Sequence, residues 1–219
     1  MDANTFVAEL IRENDELLTR LAPAASLASE VGGDLAPAKL LRVALKNEIE
    51  ASEIAAIWMA SAATSALKLA LARQAGDEAK HYALIEKRLR ELGDDLAGFD
   101  PIASGYSPMF QFLKGLTTDV ERVAAGQFTR EAIAVVKNRQ FIELCEAAGD
   151  HQTAQLYRES IEPDERFHHE MGAHFLRELA IDEPSQALAR AARLRALDLA
   201  EELQNAAFTR AKVHHAPGC

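Results

Sequence analysis

A short pattern of two acidic residues and a histidine occurs twice in this chain. Residues 77–81 read Asp-Glu-Ala-Lys-His, and residues 164–168 read Asp-Glu-Arg-Phe-His. Both lie in long stretches whose apolar residues recur at the spacing of an α-helix. On a helix, residues three positions apart lie on one face, so the glutamate and the histidine of each pattern point at one spot. The repeat therefore predicts two helices that each present a carboxylate and an imidazole to a shared interior position.

The composition favours helices throughout the chain. Hydrophobic residues make up 48% of the 219 residues, and there are only 11 glycines and 7 prolines. Much of the apolar content is alanine and leucine, and β-branched residues are not concentrated into runs. A chain of this length buries one substantial core. We expect an all-α fold in a single domain that spans residues 1–219.

Charge and cysteine content limit the expected partners and compartment. The formal net charge is −10 and the isoelectric point is near 5.2, which argues against nucleic acid as a partner. Cys145 and Cys219 lack the spacing of metal-binding pairs, which favours a reducing compartment. No stretch approaches about 20 uninterrupted apolar residues, and the first residues lack the basic region of a secretory signal. We expect a cytoplasmic protein that does not bind membranes.

Apolar periodicity, proline and glycine divide the chain into helices. An amphipathic packing helix is predicted over residues 3–21, ended by Pro23 and followed by a turn at Gly32–Asp34. Pro37 suits the first turn of the next helix. Four central helices are predicted over residues of about 36–62, 66–92, 109–147 and 151–180, and a last helix over 183–212. The last helix suits packing against the bundle or against a second copy in a homodimer.

Two of the central helices contain residues that disturb regular helical structure. The third is expected to bend near Gly115 or Gly126. The fourth contains Pro163, which removes a helical hydrogen bond just before the second acidic pattern. This proline either produces a simple kink or re-aims Glu165 and His168, and the sequence does not distinguish these two interpretations.

Three acidic residues on the first central helix compete for one interior position. At about 100° per residue, Glu50 lies nearly opposite Glu48, and Glu53 lies about 140° away from Glu48. Only one of the three can point squarely into the core. We prefer Glu48, because Ser52 and Ala55 share its face and leave room above it. Glu50 and Glu53 remain the alternatives.

Two further glutamates interrupt apolar stripes. Glu78 shares a face with Leu71 and Ile85, and Glu131 shares a face with Phe128 and Val135. A carboxylate in such a stripe is costly unless it is paired or binds a metal. Both positions are therefore candidates for metal ligands.

These residues together make a candidate ligand set for two metal ions, of a type known from helical bundles. Glutamates can bridge two ions, and each imidazole binds one. The predicted set is Glu48, Glu78, His81, Glu131, Glu165 and His168. Imidazole ligands usually donate their second ring proton to a carboxylate or a carbonyl. Asp77 and Asp164 are predicted to accept it, each from the histidine of the opposite pattern, and His169 is the rival of His168.

At these residues the sequence resembles the ferritin-like di-iron carboxylate superfamily, over about residues 36–180. Residues 48–53, 77–82 and 88–93 are similar to those of uncharacterised bacterial ferritin-like proteins and, distantly, of tRNA-modifying di-iron monooxygenases. The resemblance implies a ferritin-like four-helix bundle with an additional N-terminal helix and C-terminal helix. It also implies a dinuclear centre that reacts with oxygen or peroxide. Iron is the metal expected there, although the same ligands accept manganese or zinc.

Three functions follow as hypotheses. The first is an oxygen-activating oxidoreductase of monooxygenase or oxidase type, with a small-molecule substrate and an external electron donor. The second is an iron-handling or peroxide-detoxifying protein, and the third is a helical bundle without a working centre. Because rubredoxin-like cysteine pairs are missing, a rubrerythrin with its own electron carrier is not expected. We favour the first hypothesis, although the sequence identifies neither the substrate nor the catalytic residues.

Overall fold

The structure, a computed structural model, describes residues 1–21 and 37–211. These residues form helices and loops, with no β-strand among them, which confirms the all-α prediction. The α-helices are α1 (Ala3–Leu21), α2 (Pro37–Ser61), α3 (Ser65–Glu91), α4 (Pro108–Gly115), α5 (Asp119–Val123), α6 (Glu131–Ala147), α7 (His151–Leu156), α8 (Glu162–Leu179) and α9 (Glu183–Ala211). Two π-helical segments, π1 (Ala124–Arg130) and π2 (Tyr157–Ile161), join α5 to α6 and α7 to α8. No helix of the described residues has the length and apolar character needed to cross a membrane.

The predicted helix boundaries are correct at most positions and wrong in the third central helix. Pro37 begins α2, as expected. The helix predicted over 109–147 was expected to bend near Gly115 or Gly126. It is instead divided at the first of these positions, because the chain leaves helical geometry after Gly115 and begins a new helix at Asp119. Thr118 and Glu121 form a capping box that starts the new helix. Pro23 and the predicted turn at Gly32–Asp34 lie outside the described residues.

Helices α2 and α3 form a hairpin with a short connection. The Thr64 side chain caps α3 by accepting a hydrogen bond from the Leu67 amide at 3.2 Å. Lys68 donates to the carbonyl of Met59 at 3.0 Å, at the end of α2. Farther from the turn, the Ser52 hydroxyl donates to the Ala75 carbonyl at 2.8 Å. These contacts fix the depth at which α2 and α3 face each other.

A second hairpin consists of α5–π1–α6 and α7–π2–α8. Gly149 takes a φ of +78° in its turn, a conformation that glycine adopts without steric cost. Asp150 caps α7 and also accepts a hydrogen bond from the Arg88 guanidinium at 2.7 Å. Arg88 belongs to α3, so this buried cation ties the second hairpin to the first.

The apolar core is divided into two clusters. One cluster includes Trp58 and Leu71, and the other includes Leu45 and Ile85. On both α2 and α3, residues of the two clusters lie on either side of the candidate ligand positions. The candidate ligands therefore occupy a polar layer inside an otherwise apolar interior.

Helices α1 and α9 pack on the outside of these hairpins. Helix α9 contacts π1, α5 and α1. Arg193 on α9 is 1% exposed and donates to the Asn14 side chain at 2.7 Å. The last helix is thus packed against its own chain, one of the two arrangements that the sequence left open.

Candidate metal centre

The structure brings all six predicted ligand residues into one interior cluster. They come from α2, α3, α6 and α8, so each of the four central helical segments contributes. None of the six is more than 2% exposed. The cluster consists of Glu48, Glu78, His81, Glu131, Glu165 and His168.

Two overlapping groups within this cluster have the geometry to hold a metal ion. One contains Glu48, Glu78, His81 and Glu165, and the other contains Glu78, Glu131, Glu165 and His168. Within each group, the candidate ligand atoms all lie within 4.8 Å of one another. Glu78 and Glu165 belong to both groups. The two halves are counterparts, in which Glu48, Glu78 and His81 correspond to Glu131, Glu165 and His168.

Both histidines direct Nδ1 towards the carboxylates. His81 Nδ1 lies 3.3 Å from Glu78 Oε2, 3.4 Å from Glu48 Oε2 and 3.8 Å from Glu165 Oε1. His168 Nδ1 lies 3.5 Å from Glu78 Oε1 and 3.6 Å from Glu165 Oε2. The same ring atom of each histidine is therefore the one available to an ion.

The other ring nitrogen of each histidine contacts an aspartate of the opposite pattern. His81 Nε2 lies 3.1 Å from Asp164 Oδ2, and His168 Nε2 lies 3.1 Å from Asp77 Oδ2. The sequence predicted this crossed pairing of each histidine with the aspartate of the opposite pattern. Because a carboxylate only accepts, each Nε2 carries the proton, and Nδ1 can present its lone pair to a metal.

Two surface cations hold these aspartates. Lys80 donates to Asp164 Oδ2 at 2.8 Å, and Arg73 lies 3.3 Å from Asp77 Oδ2. Burial tends to raise the pKa of Asp164, but the hydrogen bonds from Lys80 and His81 outweigh it and lower the pKa below its usual value. Asp164 therefore remains a charged acceptor for its histidine.

Several ligand atoms have no hydrogen bond to any described residue. They are Glu48 Oε1, Glu78 Oε1, Glu131 Oε2, Glu165 Oε2 and His168 Nδ1. Buried polar atoms are normally paired, and an unpaired carboxylate oxygen is costly in a dry interior. Cations placed in the two ligand groups would satisfy all five atoms, so these residues fit bound metal.

Without a metal, protons must balance the buried charges. Burial raises the pKa of Glu48 to about 7, although His81 opposes the change. Burial, together with Glu78 and Glu131, raises the pKa of Glu165 well above its usual value. Burial would lower the pKa of His81, but Glu48 and Glu78 outweigh it and raise that pKa to about 12. Metal ions and protons therefore compete for the same atoms.

Glu131 has two hydrogen-bond partners that its counterpart Glu48 lacks among the described residues. Its Oε1 accepts from Gln74 Nε2 at 2.7 Å and from the Arg130 guanidinium at 2.9 Å. Gln74 Oε1 in turn accepts from Gln127 Nε2 at 2.9 Å. Sequence reasoning missed these three residues. Gln74 and Gln127 each precede a ligand by four positions, which places them one helical turn away on the same face, and this spacing could have identified them.

Each π segment ends just before a ligand helix. The Glu131 amide donates to the Gly126 carbonyl, and the Glu162 amide donates to the Tyr157 carbonyl, both five residues back. A hydrogen bond that spans five residues instead of four accommodates one extra residue in the turn. Relative to a continuous α-helix, the following helix is therefore rotated by about 100°. Pro163 lies in the first turn of α8, immediately after π2. The π segments therefore determine which face of α6 and of α8 points inwards.

Two glycines allow close packing around π1. A Cβ at Gly172 of α8 would lie 2.5 Å from the Phe128 amide nitrogen, and one at Gly126 would lie 2.6 Å from the Trp58 ring. His169 Nδ1 lies 2.7 Å from the Phe128 carbonyl oxygen. His169 therefore supports π1 and is not part of the ligand cluster.

The alternative acids on α2 have other partners. Glu50 is buried and accepts from the Ser107 amide at 2.7 Å and from its hydroxyl at 2.5 Å. Ser107 caps α4, so Glu50 fixes the start of that helix. Glu53 lies beside Tyr106 and raises the pKa of its phenol. The structure places Glu48 in the cluster and the two alternatives outside it.

Comparisons of this chain with protein-family models, with curated proteins and with solved structures each found no match.

Proposed function

We propose that this chain is a dinuclear metal carboxylate protein with a ferritin-like four-helix bundle, and that it acts as an oxygen-activating oxidoreductase. The observation that carries the proposal is the pair of overlapping ligand groups that share Glu78 and Glu165. One isolated group would suggest a single ion. Two groups that share two carboxylates match the arrangement needed to bridge a pair of ions.

The geometry suggests a ligand assignment for each ion. Glu48 and His81 would bind one ion, and Glu131 and His168 would bind the other. Glu78 and Glu165 would bridge the two. Four carboxylates offset the charge of two divalent cations, and the mixture of imidazole and carboxylate suits iron, manganese or zinc. Iron is our preferred metal because an oxidoreductase needs a metal that changes oxidation state.

A reduced dinuclear iron centre would supply electrons for a reaction with dioxygen or peroxide. The surrounding residues hold the ligands in place and keep bulk water away. Asp77 and Asp164 hold the Nε2 protons of the histidines and so direct Nδ1 inwards. Arg130 and Gln74 hold one oxygen of Glu131. An external donor would be needed to return the centre to its reduced state.

A polar position near the centre supports reaction with a second molecule. Glu131 can only accept hydrogen bonds, so Gln74 must direct its amide nitrogen at Glu131 and its oxygen at Gln127. Gln127 must then direct its own oxygen away from Gln74. That oxygen is buried and has no hydrogen bond within the described chain. A water molecule or the hydroxyl of a small substrate would satisfy it.

Elemental analysis of full-length protein produced in iron-supplemented medium tests the metal assignment. We expect close to two iron ions per chain, and large losses in Glu78→Ala and in His168→Ala. Glu143→Ala is the matched control, because Glu143 lies on α6 and is exposed. Wild-type protein that folds but holds no transition metal would contradict the proposal and support a bundle without a working centre.

Oxygen consumption by the reduced protein distinguishes the two metal-dependent functions. An oxidoreductase should consume oxygen, return to its starting state when a chemical reductant is added, and retain no further iron. An iron-handling protein should instead oxidise added ferrous iron well beyond two ions per chain and keep it in solution. That second result would replace the oxidoreductase assignment while leaving the metal centre in place.

A further inference from the structure

We propose that the two halves of the centre bind metal unequally: the Glu48–His81 half takes the tighter ion, and the Glu131–His168 half takes the weaker one. This inference rests on the proposed dinuclear centre. Its origin is the hydrogen bonding of Gln74 and Arg130 to Glu131. These two positioning residues hold one carboxylate of the Glu131–His168 half directly.

Glu48 and Glu131 are counterparts with different surroundings. Glu131 Oε1 already accepts two hydrogen bonds, at 2.7 Å from Gln74 and 2.9 Å from Arg130. Only Oε2 of Glu131 is unpaired within the described chain. Glu48 Oε1 makes no hydrogen bond there, and Glu48 Oε2 lies 3.4 Å from His81 Nδ1. Glu48 can therefore offer two oxygens to an ion, whereas Glu131 can offer one.

The hydrogen bond from Gln74 is difficult to release. Gln74 and Gln127 are each 2% exposed, and they form a chain in which Gln127 donates to Gln74 and Gln74 donates to Glu131. If Glu131 rotated to bind an ion through both oxygens, the buried Gln74 amide would lose its acceptor. Leaving a buried donor unpaired is unfavourable.

Arg130 adds a charge to the same half. Its guanidinium is buried, at 7% exposure, and a guanidinium stays protonated in proteins. It repels a cation bound to the carboxylate that it contacts, and the effect is greater in a dry interior than in water. Asn47, which precedes Glu48 as Arg130 precedes Glu131, carries no charge. The lost oxygen weakens only the Glu131–His168 half, and the added cation weakens that half most, because Glu131 is the carboxylate that Arg130 contacts.

Calorimetric titration of metal-free, full-length protein with Mn²⁺ tests this inference. We expect two binding events whose dissociation constants differ by at least about tenfold. His168→Ala should keep the tighter event and lose the weaker one, and His81→Ala should lose the tighter event. This matched pair assigns each event to one half of the cluster. Circular dichroism checks that each variant is folded.

Removal of the positioning contacts provides the second test. Gln74→Leu frees Glu131 Oε1 from one donor, so the weaker event should tighten several-fold while the tighter event stays unchanged. Arg130→Met removes the cation and should act in the same direction, which preserves the test if Gln74→Leu does not fold. A merely structural role would instead weaken both events together.

The possible outcomes are distinguishable. Three outcomes would overturn the inference and leave the dinuclear centre intact. The two events could have equal affinity, or His81→Ala could remove the weaker event and His168→Ala the tighter one. The third outcome is an equal weakening of both events in both positioning variants. A failure of the folded wild-type protein to bind Mn²⁺ at all would overturn the proposed function as well.

Discussion

Each histidine of the centre has two ring nitrogens with different tasks. Nδ1 faces the shared carboxylates, and Nε2 contacts an aspartate of the opposite pattern. The patterns therefore cross-link α3 and α8 as well as supplying candidate ligands. This crossing could be predicted from sequence because an aspartate precedes the glutamate in both patterns. The contact of Arg130 with Glu131 could not be predicted, because adjacency in sequence does not show which way a side chain points.

Asp77→Asn tests the support of His168. An asparagine can present an N–H to Nε2, which would favour the wrong tautomer of the ring. We expect metal affinity to fall about 10–100-fold, the range typical for such supporting residues. Metal titration with a competing chelator measures the change. Asp198→Asn, an exposed site on α9, is the control, and equal affinities in the two variants would refute the role of Asp77.

Glu48 should make the metal-free protein depend on pH. Its pKa is raised to about 7, so the protonated form is favoured in the fold, and this stabilisation is complete below the ordinary pKa of 4.5 and lost as the pH rises through 7. The loss is on the order of 3 kcal/mol. Glu48→Gln should therefore show a smaller decline in the free energy of unfolding between pH 4.5 and 7. Parallel pH profiles of the two proteins would contradict the assignment.

At the level of elements, the π segments set the orientation of α6 and α8. Hydrophobic periodicity predicted where these helices lie, but neither π segment was predicted. The sequence does indicate the break after Gly115, because Thr118 and Glu121 have the spacing of a capping box that starts a new helix. The sequence-based prediction instead followed the continuous apolar pattern and expected only a bend near Gly115 or Gly126.

Gly172→Ala tests the close packing of α8 on π1. The added Cβ would lie 2.5 Å from the Phe128 amide nitrogen, so backbone must shift. We expect a loss of about 1–3 kcal/mol in the free energy of unfolding, as for other overpacked sites, together with weaker metal binding through displaced Glu131. Denaturant unfolding and metal titration measure the two effects.

Gly76→Ala is the matched control for that experiment. Gly76 lies inside α3, and a Cβ added there would have no side chain and no other helix within 4 Å. Alanine is favoured over glycine in a helix by about 0.5–1 kcal/mol, so this variant should be slightly more stable. If both variants changed stability in the same direction, the packing argument for π1 would fail.

For the whole molecule, a layer of buried charge lies between two apolar clusters. The meeting of the six candidate ligands could be predicted, because four acids and two histidines on apolar helical faces are difficult to explain without a cation. The depth at which the helices meet depends on contacts such as Arg88 with Asp150, which a single sequence does not reveal. Bound ions would join α2, α3, α6 and α8 at this layer.

Metal binding should therefore stabilise the entire fold. At a free metal concentration of 100 times the dissociation constant, the gain is about 2.7 kcal/mol for one site. For a chain of this size the midpoint of thermal unfolding should rise by roughly 5–10 °C. Calorimetry with and without metal measures the shift. Glu78→Ala should show little or none, and an equal shift in that variant would place the binding elsewhere.

The most direct test of the central claim is anomalous X-ray diffraction from crystals of the metal-bound protein, recorded on both sides of the metal's absorption edge. We expect two neighbouring peaks, one among Glu48, Glu78, His81 and Glu165 and the other among Glu78, Glu131, Glu165 and His168. An ordered crystal with metal peaks only at surface residues, and none within this cluster, would contradict the account.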